Sequence, residues 1–159
     1  MTETLPDASR RVAEAAKAFG LTIDIVQHEA PTRTAEEAAA ACGCDVAQIV
    51  KSLVFRGKAS GKPYLLLVSG KNRVNEKGVA AHLGEKLERP DAAYVREITG
   101  YAIGGIPPLG HASPLDTFVD ADLMGYETVW AAAGTPNTVF EVAPRALAEA
   151  VGGKVIGVG

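Results

Sequence analysis

Cysteine is almost missing from this 159-residue chain. Only Cys42 and Cys44 occur, one residue apart, which is too tight for an ordinary disulfide and leaves no second pair for a structural zinc site. Both are read as reduced. Cys42 also falls near the end of an alanine-rich helical run, where the helix dipole disfavours a thiolate, so it is set aside as a nucleophile. Histidine is equally scarce. His28 falls at a strand end and His82 on a surface-type helix, both ordinary structural places, and His111 alone borders an unusual loop. No stretch approaches the roughly 18 apolar residues of a membrane helix, and Met1 to Arg11 has no apolar run of signal-peptide type, so no membrane partner is expected and the expected location is the cytoplasm. Basic residues are not in excess, since 16 Lys and Arg stand against 19 Asp and Glu for a net charge of -3. That argues against a broad DNA-binding face, and any contact with RNA has to come from a local patch. There is no G-x-S-x-G elbow, no H-E-x-x-H, no P-loop and no G-x-G-x-x-G opening a helix after a strand.

With 47% hydrophobic residues, the chain has enough apolar content for one core, and residues 1–159 are expected to form a single domain. Val12, Ala15, Ala16 and Phe19 recur at helical spacing before Gly20, predicting a first helix from Asp7 to Phe19. Leu21 to His28 alternates like a half-buried strand. Thr34-Ala-Glu-Glu37 has the form of a capping box opening a helix that stops at Gly43, and Asp45 is placed to cap a further short turn through Ile49. Val50 to Phe55 and Tyr64 to Ser69 predict a hairpin, its second strand apolar on both faces and therefore central. Helices are expected over Glu76–Leu83, Asp91–Ile98 and Pro144–Val151. Strands are expected over Asp116–Val119, Thr128–Ala132, Val139–Val142 and Val155–Val158, with a helical turn over Asp120–Gly125. Strands and helices alternate irregularly around at least one hairpin, so the sheet should be mixed.

Three features stand outside that pattern. Lys51 sits two residues into a strand, either as a solvated edge cation or aimed into a pocket. Ile103-Gly104-Gly105-Ile106-Pro107-Pro108-Leu109-Gly110-His111 joins a stiff diproline to glycines that let another molecule approach the backbone, which suits either a tight connection or a ligand-lining wall. Gly134-Thr135-Pro136-Asn137-Thr138 is a second such loop. With the polar groups of Ser69, Asn72, Asn75, Thr135 and Asn137, this set can hold a phosphate and a carbonyl without a protein nucleophile.

Thr34-Ala-Glu-Glu-Ala-Ala, Gln48-Ile-Val-Lys-Ser-Leu53, Leu67-Val-Ser-Gly-Lys-Asn-Arg-Val74, the central Gly-Gly-Ile-Pro-Pro-Leu-Gly-His and Trp130-Ala-Ala-Ala-Gly134 follow one another as they do in a known family. From about Thr34 onward the chain resembles the YbaK/EbsC-type aminoacyl-tRNA deacylases, which are related to the editing domain of bacterial prolyl-tRNA synthetase. The resemblance implies a mixed α/β fold with a strongly curved, barrel-like sheet wrapped by helices. It implies trans-acting hydrolysis of mischarged tRNA, with no cofactor and no metal, on a small acyl group such as alanine on the tRNA for proline. The partners implied are the 3′ acceptor end of tRNA and an aminoacyl-tRNA synthetase. The family's functional lysine falls on Lys51, read as holding the terminal nucleotide. Its G-x-x-x-P loop falls on Gly104, Gly105, Ile106, Pro107 and Pro108, read as orienting the aminoacyl ester for a water or the ribose hydroxyl. Ser52, Ser69, Asn72, Gly110, His111, Gly134, Thr135 and Asn137 complete the expected substrate-binding set. One departure is Thr135, where many members carry a histidine. A binding module of the same fold that grips RNA ends or a synthetase without turnover is the rival expectation.

Overall fold

A computed structural model describes residues 5–159; the first four residues of the Met1–Arg11 segment lie outside it. The hairpin predicted at the centre of the chain is the axis of the structure. Strand β2 (Ile49–Gly57) pairs antiparallel along its length with β3 (Pro63–Ser69). The Tyr-Leu-Leu-Leu-Val run of β3 is buried on both faces, as its lack of polar alternation requires. Leu65 and Leu67 join the larger core with Val12, Val95, Phe140 and Leu147, whereas Leu66 and Val68 join a smaller one with Phe55, Val79 and Val158. The two-residue period of a strand thus supplies both cores at once.

The sheet is mixed, as expected. Its order is β1 (Ile25–Gln27), β7 (Thr138–Val142), β6 (Val129–Ala132), β2, β3, β5 (Asp116–Asp120) and β8 (Lys154–Ile156), with β4 (Leu87–Glu88) added on β2. β6 runs parallel to β2, and β5 parallel to β3 and β8; the remaining pairs are antiparallel. Among the described residues the pairings form a path ending at β1 and β8 rather than a closed ring. One edge of β2 is shared. Ile49 and Val50 pair with β6 and Arg56 and Gly57 with β4, so no strand lies opposite the residues between them.

Five helices surround the sheet among the described residues: α1 (Asp7–Ala18), α2 (Ala35–Cys42), α3 (Glu76–Leu83), α4 (Ala92–Thr99) and α5 (Pro144–Val151). Their ends follow from capping chemistry. Thr34 accepts the Glu37 N–H and Gly43 closes α2 in the left-handed conformation. The Glu37 carboxylate reaches one residue further back than a standard capping box, to the Arg33 N–H at 2.8 Å. The complete box is at Asp45 and Gln48, on a short 3-10 turn over Val46–Gln48. A second 3-10 turn covers Ala121–Gly125. No helix among the described residues is long and apolar enough to cross a membrane.

Most boundaries move by one or two residues, and the first and last strands and one added strand differ more. The strand predicted over Leu21–His28 is only Ile25–Gln27, because β7 offers it three partners. The last strand lies slightly earlier than expected, at Lys154–Ile156, and β4 was not anticipated, since two residues carry no period.

The tip of the β2–β3 hairpin is held from outside. The Glu85 carboxylate accepts the backbone N–H groups of Ala59 and Ser60, the Ser60 hydroxyl and the Tyr64 hydroxyl. These bonds favour the ionised form and lower its pKa from the ordinary 4.5 to about 2, the Ser60 hydroxyl contributing most. The folded value lies below the unfolded one. This contribution is therefore complete above about pH 4.5 and lost as pH falls through about 2. Glu85→Gln should flatten the decline of melting temperature over that interval; thermal melts of equal slope in both proteins would show that the contacts do not matter to stability.

Candidate functional site

Val50, Val54, Val129 and Ala131 point into the larger core, so strand alternation turns Lys51, Leu53, Trp130 and Ala132 to the opposite face. There they form the floor of a cleft of about 260 Å³. One wall is the start of α2 with the segment before it, including Arg33, Thr34, Ala35 and Ala38. The facing wall is the central loop at Ile103, Gly104 and Ile106, and Thr135 and Pro136 of the second glycine loop close one end.

Lys51 therefore lies in the cleft floor, on the stretch of β2 that has a partner strand on its β3 side alone among the described residues. Its Nζ donates to the Asn72 carbonyl oxygen at 2.5 Å, and it appears in none of the ion pairs found among the described residues. Burial lowers its pKa; Arg73 adds to that, while the charges of Glu36 and Asp120 oppose it. An ammonium with two free donors, partly stripped of water and without a carboxylate partner, is prepared for an anion brought by a ligand. Beside it Ser52 Oγ is buried and has no hydrogen-bond partner among the described residues. A lone hydroxyl of this kind carries an unmet desolvation cost that a bound polar group removes.

The two glycine loops are stitched together. The Gly134 N–H donates to the Gly105 carbonyl at 2.9 Å, and a Cβ on Gly105 would lie 2.7 Å from Thr135 Cα. Gly104, at φ +101°, presents its backbone to the cleft. Behind the second loop runs a chain of hydroxyls. Ser9 donates to Thr138 at 3.0 Å, Thr138 and Thr135 are 2.7 Å apart, Thr135 donates to Asn137 Oδ1 at 3.0 Å, and Asn137 Nδ2 donates to the His28 carbonyl at 2.9 Å. Thr135 occupies its place as a link in this network.

The structure divides the predicted site residues. Lys51, Ser52, Gly104, Ile106 and Thr135 line the cleft, and Gly105, Gly134 and Asn137 support its loops from behind. Pro107 and Pro108 are buried behind the loop instead of facing the cleft. Ser69 is fully buried with its hydroxyl donating to the Ala47 carbonyl at 2.7 Å, so it is not available to a ligand. The Asn72 side-chain amide nitrogen is taken up by Asp120 and Asp122, and the residue reaches the cleft through its backbone carbonyl, which accepts from Lys51. Pro108, Gly110 and His111 line a separate cavity with Phe19 and Leu115. His111 Nε2 donates to the Pro107 carbonyl at 2.7 Å, which braces the central loop from its far side, and burial lowers the pKa of the ring.

Among the described residues no His, Cys, Asp or Glu lines the cleft. Cys42 lies elsewhere, 4.0 Å from His28 Nε2, and burial, with the nearby Cys44 and Glu141, raises its pKa to about 11. Among the described residues no three His, Cys, Asp or Glu side chains converge to hold a metal. The arrangement supplies a cation, a lone hydroxyl, apolar walls and exposed loop backbone: groups that bind and polarise an ester while a water or a hydroxyl of the substrate attacks. Sequence reasoning missed Arg33 and took Ile103 only as the start of the central loop. Ile103 is 61% exposed at the lip of the cleft, and its signal was an apolar residue stranded in a glycine loop.

Comparison with known proteins places the chain in a family. A solved structure described as a candidate trans-editing enzyme for prolyl tRNA synthetase superposes with a TM-score of 0.92 at 46% identity, over 98% of each chain. YwhH of Bacillus subtilis, itself uncharacterised, is 32% identical over 79% of this chain and 80% of its own length. The proline–tRNA ligase of Limosilactobacillus fermentum is 32% identical over 69% of this chain, which spans only 20% of that enzyme. The model of the aminoacyl-tRNA editing domain matches residues 29–150, a span that holds the whole cleft, and the chain accordingly belongs to the aminoacyl-tRNA editing domain family, as a deacylase.

Proposed function

We propose that the chain acts in trans in the cytoplasm, removing a small amino acid, alanine by preference, from mischarged tRNA for proline. Lys51 carries this reading: it is an unpaired, half-buried ammonium in the floor of a cleft walled by exposed loop backbone. It holds a phosphate of the terminal nucleotide, and the Gly104–Ile106 backbone orients the aminoacyl ester. Small size discrimination by a synthetase is weak, about 1–3 kcal/mol per methylene, so a second hydrolytic sieve has a use. Relationship to a domain of proline–tRNA ligase makes a synthetase a reasonable partner.

A panel of tRNAs charged with alanine, serine, cysteine and proline tests the reading directly. Deacylation of Ala-tRNA for proline ahead of the others is expected. No deacylation of any small-amino-acid tRNA above buffer would favour the binding-module alternative, for which the lack of a His, Asp or Glu in the cleft lining among the described residues argues.

At a net charge of -3, RNA contact has to come from Arg33, Lys51, Lys71 and Arg73, the cations of the cleft wall and the neighbouring turn. Few phosphates are neutralised. The logarithm of KM should therefore rise with the logarithm of salt concentration with a slope of only about 2 to 3, far less than for a protein with a broad basic face. A slope near 8 in steady-state assays would require an RNA footprint that this surface does not offer.

A further inference from the structure

Asp120 is 1% exposed, and among the described residues no lysine or arginine pairs with it. A carboxylate in such a place has to be satisfied by N–H groups. Oδ1 accepts the Asp122 N–H at 2.9 Å, which caps the 3-10 turn that follows. Capping needs no more than that. Oδ2 nevertheless accepts two further donors from the turn after β3, the Ser69 N–H at 3.0 Å and Asn72 Nδ2 at 2.8 Å. The same Asn72 amide nitrogen also donates to Asp122 Oδ2 at 2.8 Å. Both amide protons of Asn72 are thus spent on carboxylates, and its backbone N–H donates to the Ser69 carbonyl at 2.9 Å. Of its two carbonyl oxygens, the backbone one receives Lys51 Nζ.

We infer that Asp120 and Asn72 are positioning residues for Lys51, a relay in which the buried carboxylate fixes the Asn72 amide so that the Asn72 carbonyl aims the lysine ammonium into the cleft. The inference rests on the reading of Lys51 given above. A lysine stem is flexible and its head a point charge, so direction has to be imposed from outside. One of its three donors is fixed on the carbonyl, and the other two are left for a substrate anion. Neither Asp120 nor Asn72 lines the cleft.

The test is a double-mutant cycle on deacylation of a mischarged tRNA, with Asn72→Ala and Asp120→Asn each made in the Lys51 protein and in the Lys51→Ala protein. Residues that act through a shared partner are not additive. Each change should lower kcat/KM about fivefold or more when Lys51 is present and less than about twofold when it is absent. Equal losses in both backgrounds would overturn the relay and leave a general structural role, and so would full activity of both single variants. Full activity of Lys51→Ala would instead remove the reading of Lys51 on which the relay rests. Asp120 is deeply buried and its replacement is the one at risk of misfolding; Asn72→Ala, half-buried in a turn, keeps the cycle decisive.

Discussion

Gly105→Ala is expected to lower deacylation about a hundredfold and to cost stability as well. The added methyl would sit 2.7 Å from Thr135 Cα and 2.8 Å from the carbonyl carbons of Gly134 and Thr135. These are backbone atoms, so no side chain can swing aside. The loops have to part, and the bond from the Gly134 N–H to the Gly105 carbonyl is stretched with them. Overpacking of this kind costs about 1–3 kcal/mol, which in a chain of this length lowers the melting temperature by roughly 2–10 °C. The larger effect is on turnover, because moving a substrate-orienting backbone by about 1 Å can cost about a hundredfold in rate. Melting curves and single-turnover assays of the same preparation separate the two effects. Wild-type turnover in a Gly105→Ala protein would show that the spacing of the loops does not orient the ester.

Lys51→Ala is the second large change. A charge-assisted contact to a phosphate is worth about 1.5–3 kcal/mol, so kcat/KM should fall ten- to a hundredfold while the far-UV spectrum stays unchanged. Lys51→Met separates charge from packing, since it keeps most of the stem over Leu53 and the cleft wall and removes only the ammonium. Both variants should be equally impaired. Lys51→Arg should recover activity only in part, because a planar fork cannot take the Asn72 carbonyl and a phosphate with the geometry of a compact ammonium. If Lys51→Met kept full activity, the stem rather than the charge would be the useful part and the phosphate would have to be held elsewhere.

Much of this was legible before any coordinates. The unbroken apolar run of β3 had to be a central strand, and the Thr34 and Asp45 caps announced their turns by residue type alone. Lys51 was visible as a misplaced charge between Val50 and Leu53. What alternation could not supply was the long-range partner: Ser69 and Asn72 carry the same polar groups whether they face a ligand, the Ala47 carbonyl or two aspartates. The diproline reads as stiff, yet stiffness does not say which side faces solvent, and Pro107 and Pro108 are buried. Asp120 was hidden for the opposite reason. As a strand-end aspartate it had a complete local explanation as a cap, and its second oxygen acts at a distance of about fifty residues in the chain.

Helix α1 falls before the residues matched by the editing-domain model, and yet it lies behind both loops. Ala8 fills the space against Gly134, Ser9 begins the hydroxyl chain to Thr138, Arg11 lies over the Tyr101 ring at 5.0 Å, and Ala15 sits where a Cβ on Gly110 would be. Opening of the loops is therefore expected to require undocking of α1 as one cooperative event, and the Gly134 amide should exchange with solvent deuterium at the rate set by release of Val12 from the core.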